Sequence, residues 1–204
     1  VANAIRYAVD NGADVINMSF GKSYPPHKDV VDAAIRYADS LGVLMVHAAG
    51  NDGENVDSTE NYPTRQYRGG GSANLWIEVG ASSWKAEPNL AAPFSNYGDE
   101  TVDVFAPGHA IYSTVPGNEY ERNDGTSMAA PMVSGVAALI MAYYPDLTAS
   151  QVREIILDTA TSYADVEVTR PGDSDTTVPF DQLSRTGSIV NAHDALRRAE
   201  AMSN

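Results

Sequence analysis

The fold is decided by residues 14–49, which read DVINMSFGKSYPPHKDVVDAAIRYADSLGVLMVHAA. Residues 14–18 are a short apolar segment typical of a strand, and residues 29–40 carry apolar side chains at helical spacing before Gly42. Residues 43–49 form a continuous apolar run, which is typical of a strand covered on both faces. A strand, a helix and a second strand in this order predict a βαβ unit and therefore a parallel sheet.

The same kinds of pattern continue on both sides of this unit. Apolar residues at positions 1, 5, 8 and 9 predict a helix over residues 1–11, and the polar, glycine-rich residues 50–74 predict a loop. Shorter strands are expected at 75–80, 102–105 and 111–114, and helices from about 127, at 149–160 and at 189–201. Residues 161–187 are polar and are expected to be irregular. The expected fold class is α/β with a parallel sheet.

Composition limits the possible functions. The chain has 204 residues, with 13 Lys+Arg against 27 Asp+Glu and a net charge of −14, which argues against nucleic acid as a partner. There is no Cys, so disulfides and thiolate metal sites are excluded. The longest apolar stretch, residues 128–144, is interrupted by Pro131 and is shorter than the ~20 residues that cross a bilayer. It predicts a buried helix and no membrane span.

The segment DGTSMAAP, residues 124–131, places a hydroxyl where a tight turn enters an apolar helix. Ser127 would meet the free N–H groups and the positive end of the helix dipole, which favour developing negative charge. The alternative is an ordinary N-cap serine. We expect Pro131 to lie in the first helical turn, where a missing N–H is tolerated.

Two further segments follow predicted strands, at the edge where open α/β sheets bind ligands. In AAGNDG, residues 48–53, Asn51 could offer its amide N–H to an oxyanion, although Asn and Asp-Gly are also common in turns. NMSFG, residues 17–21, has the same placement after the first strand, and its default interpretation is a strand running into a loop.

Taken together, the segments DVINMSFG, HAAGNDG and DGTSMAAPMVSGVAALI closely resemble the subtilisin-like serine proteases, or subtilases. The resemblance spans nearly the whole chain, and its Gly-Thr-Ser-Met-Ala-x-Pro motif is specific. GSIVNAHDAL, residues 187–196, is similar to the usual end of the family's domain. Further matches lie at 62–63, 79–81, 94–98, 104–108 and 111–114. The resemblance implies a three-layer, subtilisin-like α/β fold.

The resemblance also implies a serine endopeptidase that acts on polypeptides. Ser127 matches the nucleophile and Asn51 the side-chain donor of the oxyanion hole, with the Ser127 N–H as the second donor. Asn61 matches the back of the S1 pocket, and an uncharged residue there gives no fixed charge to select Arg or Lys. The remaining substrate-binding matches are Ser19, Phe20 and Gly21, on the strand edge that pairs with the substrate, and Ala48, Ala49 and Gly50, on the opposite S1 wall. The small side chains of Ala48, Ala49 and Gly50 leave room for a sizeable P1 group.

The family also needs an Asp motif and a His motif N-terminal to the part resembled here, and the sequence contains neither. Residues 1–204 are therefore expected to be the C-terminal portion of one catalytic domain, a fragment that is inactive without its missing N-terminal part. Loss of a triad base costs on the order of 10⁶ in kcat in this family. Solvated or core roles are expected for the local histidines, His27, His47, His109 and His193.

Two other functions are weighed against a protease. An α/β-hydrolase is suggested because residues 125–129 nearly fit a nucleophile elbow, but residues 117–124 show no strand pattern before the serine. A subtilase-like domain used only for binding is the second alternative.

No cofactor and no metal site are expected. The acidic stretches 52–60 and 165–181 could hold structural Ca²⁺ through oxygen ligands, although a solvated acidic surface is favoured. A secreted or cell-envelope location is expected.

Overall fold

The computed structural model describes residues 1–25, 27–85 and 87–203, and it is built around a six-stranded sheet. The helices are α1 (Ala2–Asp10), α2 (Lys28–Ser40), α3 (Thr126–Tyr143), α4 (Ala149–Asp158) and α5 (Ala192–Ser203). The strands are β1 (Val15–Met18), β2 (Leu44–Ala48), β3 (Trp76–Ser82), β4 (Val104–Pro107), β5 (Ile111–Val115), β6 (Glu119–Asn123), β7 (Thr161–Ser162), β8 (Glu167–Thr169), β9 (Thr177–Pro179) and β10 (Ser188–Ile189).

The central sheet confirms the predicted α/β class. Its strand order is β1-β2-β3-β4-β10-β7, and all neighbouring pairs are parallel except β10 with β7. Because side chains alternate along a strand, Leu44 and Val46 of β2 pack towards α3, whereas Met45 packs towards α1 and α2. Helices therefore cover both faces, and the chain forms the three layers that were expected.

The polar parts of the chain contain strands that the sequence did not predict. β6 occupies residues that were expected to have no strand. The strand was missed because all of its side chains are exposed, so no apolar alternation marks it in the sequence. It pairs antiparallel with β5 outside the central sheet, so it does not form the sheet strand of a nucleophile elbow. Residues 161–187, expected to be irregular, contain β7, β8 and β9.

Helix α3 is, by length and composition alone, apolar enough to cross a membrane. Here it packs against β1 to β4 and against α4 and α5, with residues such as Val133 and Ile140 fully buried. The prediction of a buried helix is therefore correct only for the face of α3 that packs against the sheet, α4 and α5. The opposite face exposes Met132, Leu139 and Tyr143.

Candidate active site

Three segments meet at the carboxyl edge of the sheet. Residues 19–21 follow β1 and residues 49–51 follow β2, while the start of α3 is hydrogen bonded to both segments. Together they enclose a cleft of about 350 Å³. Seven of the predicted site residues line it: Phe20, Gly21, Ala48, Gly50, Asn51, Asn61 and Ser127.

The other two predicted residues lie outside this cleft lining. Ala49 is fully buried and packs in a core cluster with Phe105 and Phe180, so its side chain contributes nothing to the cleft wall. Ser19 is half-buried, and its hydroxyl donates to the carbonyl of Ser127.

Ser127 is the second residue of α3 and is not its N-cap, which is Gly125. The Ser127 hydroxyl donates to the carbonyl oxygen of Ser19 at 3.1 Å, while the Ser19 hydroxyl donates to the carbonyl oxygen of Ser127 at 2.8 Å. Pro131 was expected in the first turn of α3, but it lies in the second turn. Its missing N–H is the one that would bond the Ser127 carbonyl, so the Ser19 hydroxyl takes that place.

Asn51 is oriented by its neighbour in space, Thr126. The Asn51 Oδ1 accepts from the backbone N–H of Thr126 at 2.8 Å and from its hydroxyl at 3.0 Å. The same hydroxyl accepts from the N–H of Gly50 at 3.1 Å. With Oδ1 held in this way, the two N–H donors of Asn51 Nδ2 are directed away from Thr126.

Two hydrogen-bond donors lie on the same side of Gly125. A Cβ built on Gly125 would lie 3.5 Å from the Ser127 nitrogen, 3.6 Å from Asn51 Nδ2 and 3.6 Å from Met128 Sδ. The Ser127 N–H belongs to the first turn of α3, so it has no carbonyl partner within the helix. An anionic oxygen bound between these two nitrogens would meet both donors and the positive end of the helix dipole.

Asn61 stands between the two walls of the cleft. Its amide Nδ2 donates to the carbonyl of Ala48 at 3.0 Å. A Cβ on Gly21 would overlap the Asn61 amide, and a Cβ on Gly50 would lie 3.2 Å from Asn61 Nδ2. Asn61 therefore takes up part of the room that the small side chains of the walls leave.

Two positioning residues were not identified from the sequence. Thr126 was only quoted within the motif, although it holds Asn51. Asn96 holds the loop after Asn51, because its Oδ1 accepts from the N–H groups of Asp52 and Glu54, both at 3.0 Å. Asn96 lies in the segment 94–98, which matches the family, but no pattern in the sequence singles it out. The structure does, because Asn96 is only 2% exposed and a buried polar side chain needs hydrogen-bond partners.

The histidines lie where the sequence indicated. His27 and His193 are exposed, His109 lies between β4 and β5, and His47 is fully buried in β2. Among the described residues, no imidazole is hydrogen bonded to Ser127, whose hydroxyl donates to Ser19.

A buried carboxylate directly before β4 is paired with three arginines. Asp103 is 1% exposed and forms ion pairs with Arg65, with Arg153 at 3.3 Å and with Arg185 at 3.3 Å. It also accepts the N–H of Glu78 at 2.8 Å. Burial lowers the pKa of Arg153 from its ordinary value, and the charge of Asp103 opposes that shift.

The described ranges hold no group of three or more His, Asp or Glu arranged to bind a metal ion. Within the acidic stretch 165–181, the Asp173 carboxylate already accepts from Arg170 at 2.6 Å and from Thr176 at 2.8 Å. Calcium binding by the acidic stretches stays a prediction, and nothing in the site depends on it.

Comparison with known proteins identifies the family that this chain matches. The profile of the Subtilase family matches residues 1–179. The chain is 41% identical over 166 residues to subtilisin DY from Bacillus licheniformis, which covers 81% of the chain and 56% of that relative. It is 42% identical over 164 residues to subtilisin E from Bacillus subtilis strain 168, covering 79% of the chain and 39% of that relative. The chain thus spans about half the length of these curated relatives or less.

The fold has a match among solved structures as well. A structure described as the basis of subtilase cytotoxin SubAB assembly superimposes with a TM-score of 0.81. The match covers 99% of this chain and 65% of that one at 23% identity, and at this identity it speaks for the fold alone.

Proposed function

The chain belongs to the subtilase family, a family of serine proteases, and from this premise we propose that it carries the nucleophile, the oxyanion hole and most of the substrate cleft of a serine endopeptidase. The observation that carries the proposal is that the Ser127 N–H and Asn51 Nδ2 lie together on one side of Gly125, in the cleft that both residues line. Family membership leaves no ground for the α/β-hydrolase alternative.

In the proposed mechanism, the Ser127 oxygen attacks the carbonyl carbon of the scissile peptide bond. The hydroxyl proton passes to a histidine outside this chain, which an aspartate orients. The carbonyl oxygen becomes an oxyanion, and Asn51 Nδ2 and the Ser127 N–H donate to it. Collapse of the intermediate releases the amine with that proton, and water then hydrolyses the acyl-enzyme.

The base is proposed to come from elsewhere because none of the described histidines is hydrogen bonded to Ser127. We propose that the N-terminal part of the same domain supplies the aspartate and the histidine and that the chain alone is inactive. The exposed face of α3, with Met132 and Leu139, adjoins the helix that carries Ser127. It is compatible with a domain that continues beyond these residues.

The proposed substrate is a polypeptide with an uncharged P1 side chain. Asn61 offers an amide and no charge at the back of the cleft, and it shortens the room between Gly21 and Gly50. A set of peptides that differ only at P1 tests this: kcat/KM for Lys or Arg is expected to fall below that for an uncharged side chain of similar length. Equal or higher values for Lys and Arg would contradict the proposal.

We also propose a secreted or cell-envelope location, supported by the bacterial subtilisins among the relatives. An acidic protein of net charge −14 is compatible with staying dissolved there. Fractionation of the source cells with antibody detection tests this, and recovery in the cytoplasmic fraction alone would contradict it.

Labelling with a serine-directed phosphonate tests the mechanism. The full-length protein, or this chain mixed with its upstream segment, is expected to be labelled at Ser127, and Ser127→Ala is expected to abolish labelling. Ser134→Ala, on the same helix, is the matched control and should leave labelling in place. A full-length protein that is not labelled would be a binding domain, and labelling of the chain alone would contradict its proposed inactivity.

A further inference from the structure

His47 is fully buried, and both of its ring nitrogens are hydrogen bonded. Nδ1 lies 2.8 Å from Glu78 Oε1, and Nε2 lies 2.9 Å from the carbonyl oxygen of Phe20. His47 and Glu78 are paired positions of the parallel strands β2 and β3. The proposed mechanism does not use either side chain.

The partners of this pair fix how many protons it holds. The Phe20 carbonyl can only accept, so the proton of that hydrogen bond belongs to His47 Nε2. One further proton must lie between Nδ1 and Glu78 Oε1, because two lone pairs would otherwise face each other at 2.8 Å. Glu78 Oε2 accepts from Trp76 Nε1 at 2.7 Å. The pair therefore holds two protons and has no net charge, whichever atom carries the shared one.

The charged groups around the pair fit a neutral unit. Asp103 on β4 accepts the Glu78 N–H and is itself paired with Arg65. Lys28 and Asp32 on α2 pair with each other at 2.8 Å. Glu78 also lines a cavity of about 400 Å³ together with Arg65 and the carboxylates of Asp57, Glu60 and Glu100. No cation in this set is placed to replace the proton between His47 and Glu78.

The contact with Phe20 controls the direction of the segment after β1. Two residues further on, Lys22 and Tyr62 exchange backbone hydrogen bonds of 3.1 and 2.8 Å. Gly21 lies between these two anchored residues and lines the cleft. Within the described part of the chain its N–H and carbonyl make no hydrogen bond. They are available to a substrate backbone that adds to this edge.

We propose that His47 is a positioning residue that joins the two walls of the cleft. Its backbone precedes Ala48 on one wall, and its Nε2–H holds the Phe20 carbonyl of the other wall, with Glu78 and Trp76 fixing the imidazole. This role rests on the proposed protease function and deepens it, because the buried pair of His47 and Glu78 would hold the segment whose Gly21 binds the substrate backbone.

Two substitutions at His47 separate this role from simple core packing. In the full-length protease, His47→Gln keeps an amide donor near the place of Nε2, whereas His47→Asn keeps only a group near Nδ1. For a peptide that spans several residues before the scissile bond, His47→Asn is expected to raise KM about tenfold, the usual effect of one lost hydrogen bond. His47→Gln is expected to stay near the wild-type KM.

Further readouts distinguish positioning from damage to the fold. The rate of phosphonate labelling and kcat/KM for a single-residue ester should stay within about twofold of wild type, since neither probe has a peptide backbone that pairs with the N–H and carbonyl of Gly21. Equal KM values for the two variants, or equal losses for the ester and the peptide, would overturn the proposal. A wild-type protein that is not labelled would overturn the protease function instead.

A second pair of variants applies if His47→Asn fails to fold. Glu78→Gln can donate to Nδ1 and accept from Trp76, so the Nε2–H persists and KM is expected to stay unchanged. Glu78→Met leaves Nδ1 without a partner and is expected to raise KM for the long peptide. The reverse order of these two KM values would contradict the assigned proton positions.

Discussion

Ser19 and Ser127 are joined by two hydrogen bonds that run in opposite directions, each from the hydroxyl of one residue to the carbonyl of the other. The segment after β1 and the first turn of α3 are thereby fixed to each other at the proposed nucleophile. Asn17 extends the contact, since its amide donates to the Ser19 hydroxyl at 2.8 Å and its Oδ1 accepts from Ser134 at 3.0 Å.

Ser19→Ala is expected to lower the free energy of unfolding by about 1 kcal/mol, because the Ser127 carbonyl loses its donor. Pro131→Ala restores the N–H that would reach this carbonyl, so the loss from Ser19→Ala should shrink in that background. A double-mutant cycle by urea unfolding measures the difference. Strictly additive effects would show that the hydroxyl of Ser19 does not substitute for the N–H missing at Pro131.

In the full-length protein, Asn51→Ala is expected to lower kcat by about 10²–10³ with little change in KM, the range known for removal of the oxyanion-hole asparagine in subtilisin, a member of this family. Thr126→Val leaves Asn51 in place and removes one of the two bonds that orient it, so a loss of about tenfold is expected. Steady-state kinetics with one peptide substrate compares the two variants. A larger loss for Thr126→Val than for Asn51→Ala would exclude the assigned roles.

Asp103→Asn is expected to lower the free energy of unfolding by about 3 kcal/mol, because the buried Arg65 would lose its counter-charge. Arg185→Gln is the matched control: its side chain is 49% exposed, and its loss should cost less than about 1 kcal/mol. Urea midpoints of the two variants should therefore differ clearly. Similar midpoints would contradict the prediction, because they would show that the buried pair with Arg65 contributes no more than the exposed pair with Arg185.

Asp173 provides a pH test in the connection between β8 and β9. Hydrogen bonds from Thr176, from the N–H of Asp175 and from Arg170 lower the pKa of its carboxyl below the ordinary value. The stabilisation is complete above the ordinary aspartate pKa of about 4 and is lost as pH falls through the lowered value. Asp173→Asn should therefore be less stable than wild type at pH 7.

Urea midpoints measured at several pH values follow this difference, which should shrink below about pH 4. Asp175→Asn keeps the backbone N–H that Asp173 accepts and is the control, with little expected change at any pH. A difference for Asp173→Asn that stays constant down to pH 3 would refute the assignment.

The buried elements could be predicted from the sequence because burial leaves a pattern. The apolar run of β2 and the helical spacing of α2 were located to within one residue at each end. β6 was missed because a hairpin with both faces in solvent needs no apolar alternation. The start of α5 was predicted three residues early, because Ile189, an apolar residue before the helix, belongs to β10.

The same reasoning explains what the sequence revealed of the site. Ser127, Asn51 and the cleft residues follow from motifs and from strand ends, and the structure brings most of them around one cleft. The placement of Ala49 in the core and the orientation of Asn51 by Thr126 depend on contacts between distant segments, which no local pattern encodes. His47 was correctly placed in a buried strand, but its partners Phe20 and Glu78 are visible only after folding.

The position of Asn61 between Gly21 and Gly50 has a consequence for how this cleft can change over evolution. A β-carbon on Gly21 would overlap the Asn61 amide, whereas a β-carbon on Gly50 would overlap the Asn96 amide and lie 3.2 Å from Asn61 Nδ2. A smaller residue at position 61 would have to come before, or together with, any enlargement at position 21. These sites should therefore covary among subtilases, and a library that redesigns the pocket will need to randomise them jointly.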